Sequence, residues 1–246
     1  TDGQVLTSAG AGAAVAWETV AGGLTGKVEG TNFDDSLLVG HSTTGTLSGA
    51  NDNLGVGIAA LDAITQADNC TAVGYNALTG VTTGGSNTGV GRYALSSITT
   101  TGNNTAVGTN SQKSAAGGAK NTSLGEDSLD QVTGDGNIGI GYTSGNNITS
   151  GSGNVVIGVA DVSSATGDDQ LKISDGEDGS VVWMTGDSSA NITFAATVSA
   201  ATAFVPDAQD GAALGTTSLQ FSDLFLADSA VLGFGDDNDT TLTHTD

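Results

Sequence analysis

The chain holds one cysteine, one proline, five lysines and arginines and eleven aromatic residues in 246 positions. Each scarcity excludes something. The single Cys70 rules out an intrachain disulfide and a multi-cysteine zinc site. Five cations against 27 acids, a net charge of −22, leave too little positive charge to track a nucleic-acid backbone or an anionic lipid surface. No run approaches the roughly 18 apolar residues that a membrane-spanning helix needs. One proline and no Gly-X-Y period exclude collagen and polyproline types. So few aromatics cannot fill one thick globular core, which points to a thin, repetitive β architecture. There is no signal-peptide pattern and no initiator methionine, and the sequence is expected to begin inside a longer or processed polypeptide.

Glycine is abundant, at 39 residues, and much of it is periodic. Glycines that follow a branched apolar residue stand at Gly40, Gly57, Gly74, Gly91, Gly108, Gly125, Gly141 and Gly158, in steps of 17 with a single step of 16. Val, Leu or Ile precedes each of them. One position earlier the side chain is usually tiny (Gly55, Ala72, Gly89, Ala106, Ser123, Gly139), and before that stands a larger residue, from Leu37 and Leu54 through Thr71 to Ile138 and Val155. Alternation at period two predicts a strand in every unit. Four residues before the glycine stand Asn53, Asn87, Asn104, Asn121, Asn137 and Asn154, with Ser36 and Cys70 in the same slot. Stacked asparagines can form a hydrogen-bonded ladder or hold a corner. Four residues after the glycine come Leu61, Leu78, Leu95 and Leu129, with Gln112 and Gly145 as exceptions; a second short strand is expected to carry that leucine inward.

A unit of 17 residues cannot fold alone and must stack on its neighbours. The expected fold is therefore all-β: a parallel β-solenoid, or β-roll, of about eight turns, each with two strands of about five residues and two corners. The expected organisation is an N-terminal module over 1–30, the repeat solenoid over 31–175 and an acidic, β-rich segment over 176–246. Residues 159–246 carry fifteen acids and one base, with strand-like runs at Val181–Met184 and Ile192–Phe194 and larger core residues expected there. Each turn supplies only two or three sizeable apolar side chains, which predicts a homotrimer in which the small strand residues let subunits approach face to face.

The sites weighed for chemistry are few. Gly134–Gly139 matches a G-x-G-x-x-G string, but its glycines are repeat punctuation and no helix pattern follows. Asp236–Asp239 and Asp175–Asp178 offer hard oxygens to Ca²⁺ without EF-hand spacing, so no cofactor is expected beyond that one candidate ion. His41 and His244 read as polar turn residues, no G-x-S-x-G nucleophile elbow exists, and no catalytic residue is assigned. Cys70 reads as a small ladder substitute, not a reactive thiol. The position after each glycine is the most variable, which predicts an outward face. There Tyr75 and Arg92 are expected to stack as a cation–π pair, and Tyr75, Arg92, Tyr93 and Tyr142 are candidate glycan contacts, with ladder or intersubunit packing as their more ordinary role.

Cys70-Thr-Ala-Val-Gly74, Asn87-Thr-Gly-Val-Gly91 and Asn104-Thr-Ala-Val-Gly108 resemble the N-T-A-V-G type repeats of trimeric autotransporter adhesin heads, whose fold is a left-handed parallel β-roll wound as a trimer. With Ala77-Leu78 and Ala94-Leu95 they are still more similar to the repeats of bacteriophage tail fibres. The stretch Asp2–Ser8, followed by a Gly/Ala run to Trp17, resembles a module of such fibres, and Leu214–Leu226 resembles a shaft element toward their C-terminal part. The resemblance implies an extracellular virion component, not an enzyme, that joins other tail proteins and presents host-receptor-binding tips to a cell-surface glycan or protein. A tailspike polysaccharide depolymerase and a cellular trimeric adhesin are the alternatives.

Overall fold

The computed structural model describes residues 4–7, 16–19, 26–30, 32–40 and 44–195, with only the backbone path for the first three stretches. All of them belong to one compact unit that ends at Thr197. The expectations for His41, His244, the shaft-like stretch 214–226, Asp236–Asp239 and the acidic segment beyond 195 lie outside the described residues.

The described residues are all-β. β1 (Gln4–Thr7) pairs antiparallel with β2 (Ala16–Thr19). A twelve-stranded sheet follows. It starts with β3 (Gly26–Gly30) antiparallel to β4 (Phe33–Val39). The repeat strands then stack in parallel: β5 (Leu54–Val56), β6 (Thr71–Val73), β7 (Thr88–Val90), β8 (Thr105–Val107), β9 (Thr122–Leu124), β10 (Ile138–Ile140), β11 (Val155–Ile157) and β12 (Leu171–Ser174). After β12 the direction changes, and β13 (Val182–Gly186) and β14 (Ile192–Phe194) close the sheet antiparallel. The result is a parallel β-solenoid of about eight turns at a spacing of about 17 residues. Adjacent strands lie about 4.8 Å apart, so the nine parallel strands alone extend about 40 Å.

Three expectations are corrected. Each coil contains one strand of three residues, not two of five. The leucine after the glycine does point inward, but from a tight turn: Leu61, Leu78, Leu95 and Leu129 have φ of 59°, 52°, 53° and 51° and are fully buried. Left-handed backbone costs a non-glycine residue about 1–2 kcal/mol. Stacking supplies the compensation, because the turn amide bonds across coils, as in Leu78 N–H to the Ala94 carbonyl at 2.9 Å.

The second correction concerns the small residues. They face the interior of the coil, not another subunit: Ala72 and Ala106 are fully buried, and Ser123 is nearly so. Their size is set by the leucine opposite, since a Cβ on Gly89 would meet Leu78 Cγ and the Ala94 carbonyl oxygen, each at 3.2 Å. Ile64, Val81, Ile98, Val132 and Ile148 complete this narrow core from the following turn. Where the leucine is missing the core still closes. Gln112 is buried and donates from Nε2 to the Thr105 carbonyl and Ser123 Oγ. Beside Gly145 the space is taken by Leu129, Ile148 and Val156. The aromatics expected to thicken the core after 175 do not do so within the described residues, because Trp183 and Phe194 are exposed.

Candidate functional site

Three features run along the solenoid axis: a buried polar ladder, an uncharged sheet face and one edge bearing aromatics and cations. The ladder is the asparagine column. Asn104 Oδ1 accepts the Asn121 amide at 2.9 Å, while Asn104 Nδ2 donates to the Gly118 carbonyl at 3.1 Å. Asn53, Asn87, Asn121, Asn137 and Asn154 bond in the same way to their own next coil and corner. All six are 0–2 % exposed, so each side chain satisfies one buried donor and one buried acceptor that stacking would otherwise orphan. Ser36 opens the ladder, accepting the Asn53 amide at 2.8 Å, and Gln170 ends it, donating to Asn154 Oδ1 through both its backbone amide and Nε2. The role of Gln170 is not evident from the glycine period, because Ser174 replaces the glycine in that coil. The signal that could have found it is Leu171-Lys172-Ile173, which keeps the strand alternation 16 residues after Val155.

Cys70 is the weak rung. It is buried, its Sγ lies 3.5 Å from the Gly84 carbonyl oxygen, and burial pushes the thiol pKa up while the Asn87 amide opposes the shift. Thiol sulfur is a poor acceptor. Cys70→Asn should therefore restore the ladder and stabilise the protein by about 1 kcal/mol, read as a rise in the midpoint of denaturant unfolding.

The repeat glycines do a separate job. Gly57, Gly74, Gly91, Gly108, Gly125 and Gly141 have φ between 133° and 140°, and Gly40 and Gly158 have 108° and 100°. A Cβ on Gly57 would strike the carbonyl oxygen of Gly74 in the next coil at 2.6 Å. These glycines form a column in which backbone stacks directly on backbone.

The outer face of the sheet carries two uncharged rows, one apolar throughout and one with threonine at its four central rungs. In the first, register pairs Val39 with Val56, then Val73, Val90, Val107, Leu124, Ile140, Ile157, Ile173, Met184 and Phe194. This row is unbroken across eleven strands. The second runs from Leu37 and Leu54 through Thr71, Thr88, Thr105 and Thr122 to Ile138, Val155 and Leu171. No charged residue stands in either row. Leu124 is 50 % exposed, and Leu37, Leu54, Val56, Ile138, Ile140 and Ile157 are 37–39 % exposed. Sequence alternation locates these residues but assigns the partner-facing role to the small ones between them.

On the variable edge, Ile58, Tyr75, Arg92, Glu126 and Tyr142 are exposed, as expected of an outward column. The cation–π pair forms differently from the expectation. Arg92 Cζ lies 4.4 Å from the Tyr93 ring centroid, Lys113 Nζ lies 5.6 Å from the same ring, and Tyr75 meets Tyr93 edge to face at 5.4 Å. Tyr142 stands three coils away from Arg92.

The turn at Asp175 has a structural use. Its carboxylate accepts the backbone amides of Glu177, Asp178, Gly179 and Val181, and these donors, that of Asp178 foremost, hold its pKa down at about 2. Both oxygens of this Ca²⁺ candidate are thus engaged in closing the β12–β13 turn. Among the described residues no group of three or more His, Cys, Asp or Glu is placed to hold a metal, and no helix is long and apolar enough to cross a membrane. A polar cavity of about 390 Å³ opens at the last coil beside Asn146, Asp161, Lys172 and Asp178, where Lys172 takes the inward strand position. Comparison with protein-family models, with curated proteins and with solved structures gives no match, so the functional reading rests on this geometry and on the repeat itself.

Proposed function

We propose that this chain is a structural and adhesive segment of a bacteriophage tail fibre, wound as a homotrimer along its sheet face, which spaces and presents host-receptor-binding tips. The observation that carries the reading is an uncharged sheet face with one unbroken apolar row on a protein of net charge −22. Eleven strands at about 4.8 Å and three residues at about 3.3 Å give a strip of about 50 by 10 Å, or roughly 500 Å². That lies near the top of the roughly 300–600 Å² found for the largest patch on a typical monomer. Were all of it apolar, covering it would contribute roughly 12 kcal/mol per protomer before the cost of association, and the four threonines lower that figure. Three such narrow strips close around a threefold axis, and the solenoid between its ends acts as a stiff spacer. Three identical chains raise avidity without strong individual contacts. The reading needs no catalytic step.

Two measurements test it. Gold-labelled antibodies against the repeat coils should decorate tail fibres of the virions that carry this chain; labelling of a bacterial envelope instead would turn the reading toward a cellular adhesin. Leu124→Glu and Ile140→Glu place charge on the apolar row while leaving the coil interior untouched. Each should abolish the trimer in sedimentation velocity, because a carboxylate buried without a partner costs several kcal/mol.

A further inference from the structure

Two of the chain's five cations converge on one ring. We infer that Tyr75, Arg92, Tyr93 and Lys113 form a binding patch for an acidic polysaccharide, with Arg92 and Lys113 taking the carboxylates of a uronate chain and Tyr75 stacking on a sugar ring. The inference rests on the attachment role proposed above and names the ligand class for it.

Preorganisation comes first. A guanidinium stacked on an aromatic face uses its own face and leaves its in-plane N–H donors free, which is the geometry that grips a carboxylate in two places. Arg92 Cζ lies over the Tyr93 ring at 4.4 Å, which restrains the side chain, so less side-chain entropy is lost on binding than from a free arginine. Tyr93 is in turn held by its T-shaped contact with Tyr75. Tyr75 is 45 % exposed and Arg92 is exposed. Lys113 comes from the next coil along the axis, so the backbones that carry the two cations are about one strand spacing apart. A segment of one or two sugar rings, ending short of the next coil, meets both.

Charge sharpens the placement. The same edge turns acidic one coil beyond Lys113, at Glu126, Asp127 and Asp130. On a chain this acidic an anionic polymer is repelled from most of the surface, so it is held only where cations are fixed and an aromatic face is offered with them.

The test uses the full-length protein in affinity electrophoresis through gels containing polygalacturonate, its fully methyl-esterified form, or poly-glutamate. Polygalacturonate should retard the protein, with at least tenfold weaker retardation by the neutral ester and by poly-glutamate. Arg92→Ala and Lys113→Ala should each weaken binding at least fivefold, and Tyr75→Ala about as much, with unchanged unfolding midpoints and unchanged oligomeric mass. Equal retardation by the neutral ester or by poly-glutamate, no retardation by polygalacturonate, or binding indifferent to Arg92→Ala would overturn the assignment. Oligomeric mass and virion labelling test the attachment role separately, so either claim can fail while the other stands.

Discussion

Alanine in place of Gly74 is expected to destabilise the protein by about 4 kcal/mol, a loss at the upper end for a single substitution. Two costs combine. The backbone at Gly74 has φ of 135°, a region that an L side chain enters only with strain of about 1–3 kcal/mol. The new Cβ would also sit 2.5 Å from the Gly91 carbonyl oxygen and 2.7 Å from its carbon. Those atoms are backbone, fixed by the coil above, and cannot rotate away. Two controls separate the terms. Gly49 shares the positive φ, 117°, but has nothing within 4 Å of the place a Cβ would take, so Gly49→Ala should show the strain alone. Gly176 has open space and no positive φ, and Gly176→Ala should change stability by less than about 0.5 kcal/mol. Equal effects at all three sites in urea unfolding would refute coil stacking through the glycine column.

Replacing Asn104 with leucine should cost about 3–5 kcal/mol, for the following reason. The side chain is almost wholly buried and serves two backbone groups, the Asn121 amide and the Gly118 carbonyl. A leucine of similar size fills the volume but leaves both groups unpaired away from water, at about 1–3 kcal/mol each. Asn104→Asp separates the two bonds. It keeps the acceptor for Asn121 but sets an oxygen against the Gly118 carbonyl, a clash relieved only when that oxygen carries a proton. The folded state therefore raises the carboxyl pKa, and the variant should be most stable at acid pH and lose stability as pH rises through that value. Denaturant midpoints of both variants between about pH 4 and 7 check this. A pH-independent aspartate variant would show that the ladder carries no weight.

How much of this is legible in the sequence depends on which physical constraint leaves a mark. The glycine column is plain because only glycine tolerates that φ beneath a neighbouring carbonyl, so the position admits no substitute from Gly40 to Gly158. The asparagine column is plain for a similar reason, since one side chain must supply both a donor and an acceptor. The leucines are placed inward correctly by their spacing, yet their backbone reads as strand. Burial leaves the same hydrophobic signal on a left-handed turn as on a strand, and the compensating hydrogen bonds come from another coil. The small residues read as a subunit interface because size alone does not say which face they occupy; Leu78 opposite Gly89 decides that they face inward. The basic and aromatic edge is half legible. Its column can be found, but Lys113 belongs to a different column, and Arg92 stacks on its chain neighbour and not on the coil below.

These features divide the molecule by task. The interior is a thin core pinned by asparagine, with stability distributed coil by coil. The outer sheet face is uncharged and carries one unbroken apolar row over about 50 Å. The variable edge is free to differ from coil to coil without disturbing either. A fibre that must stay stiff while its surface adapts to a partner fits that division.

The most direct test of the trimeric fibre is the mass of the folded protein by sedimentation equilibrium. With a chain of 23.9 kDa, the expected result is a single species of three chains, 3 × 23.9 or about 72 kDa, that keeps its β-sheet circular dichroism on dilution. A fully folded monomer of 23.9 kDa, with its apolar row open to water, would contradict it.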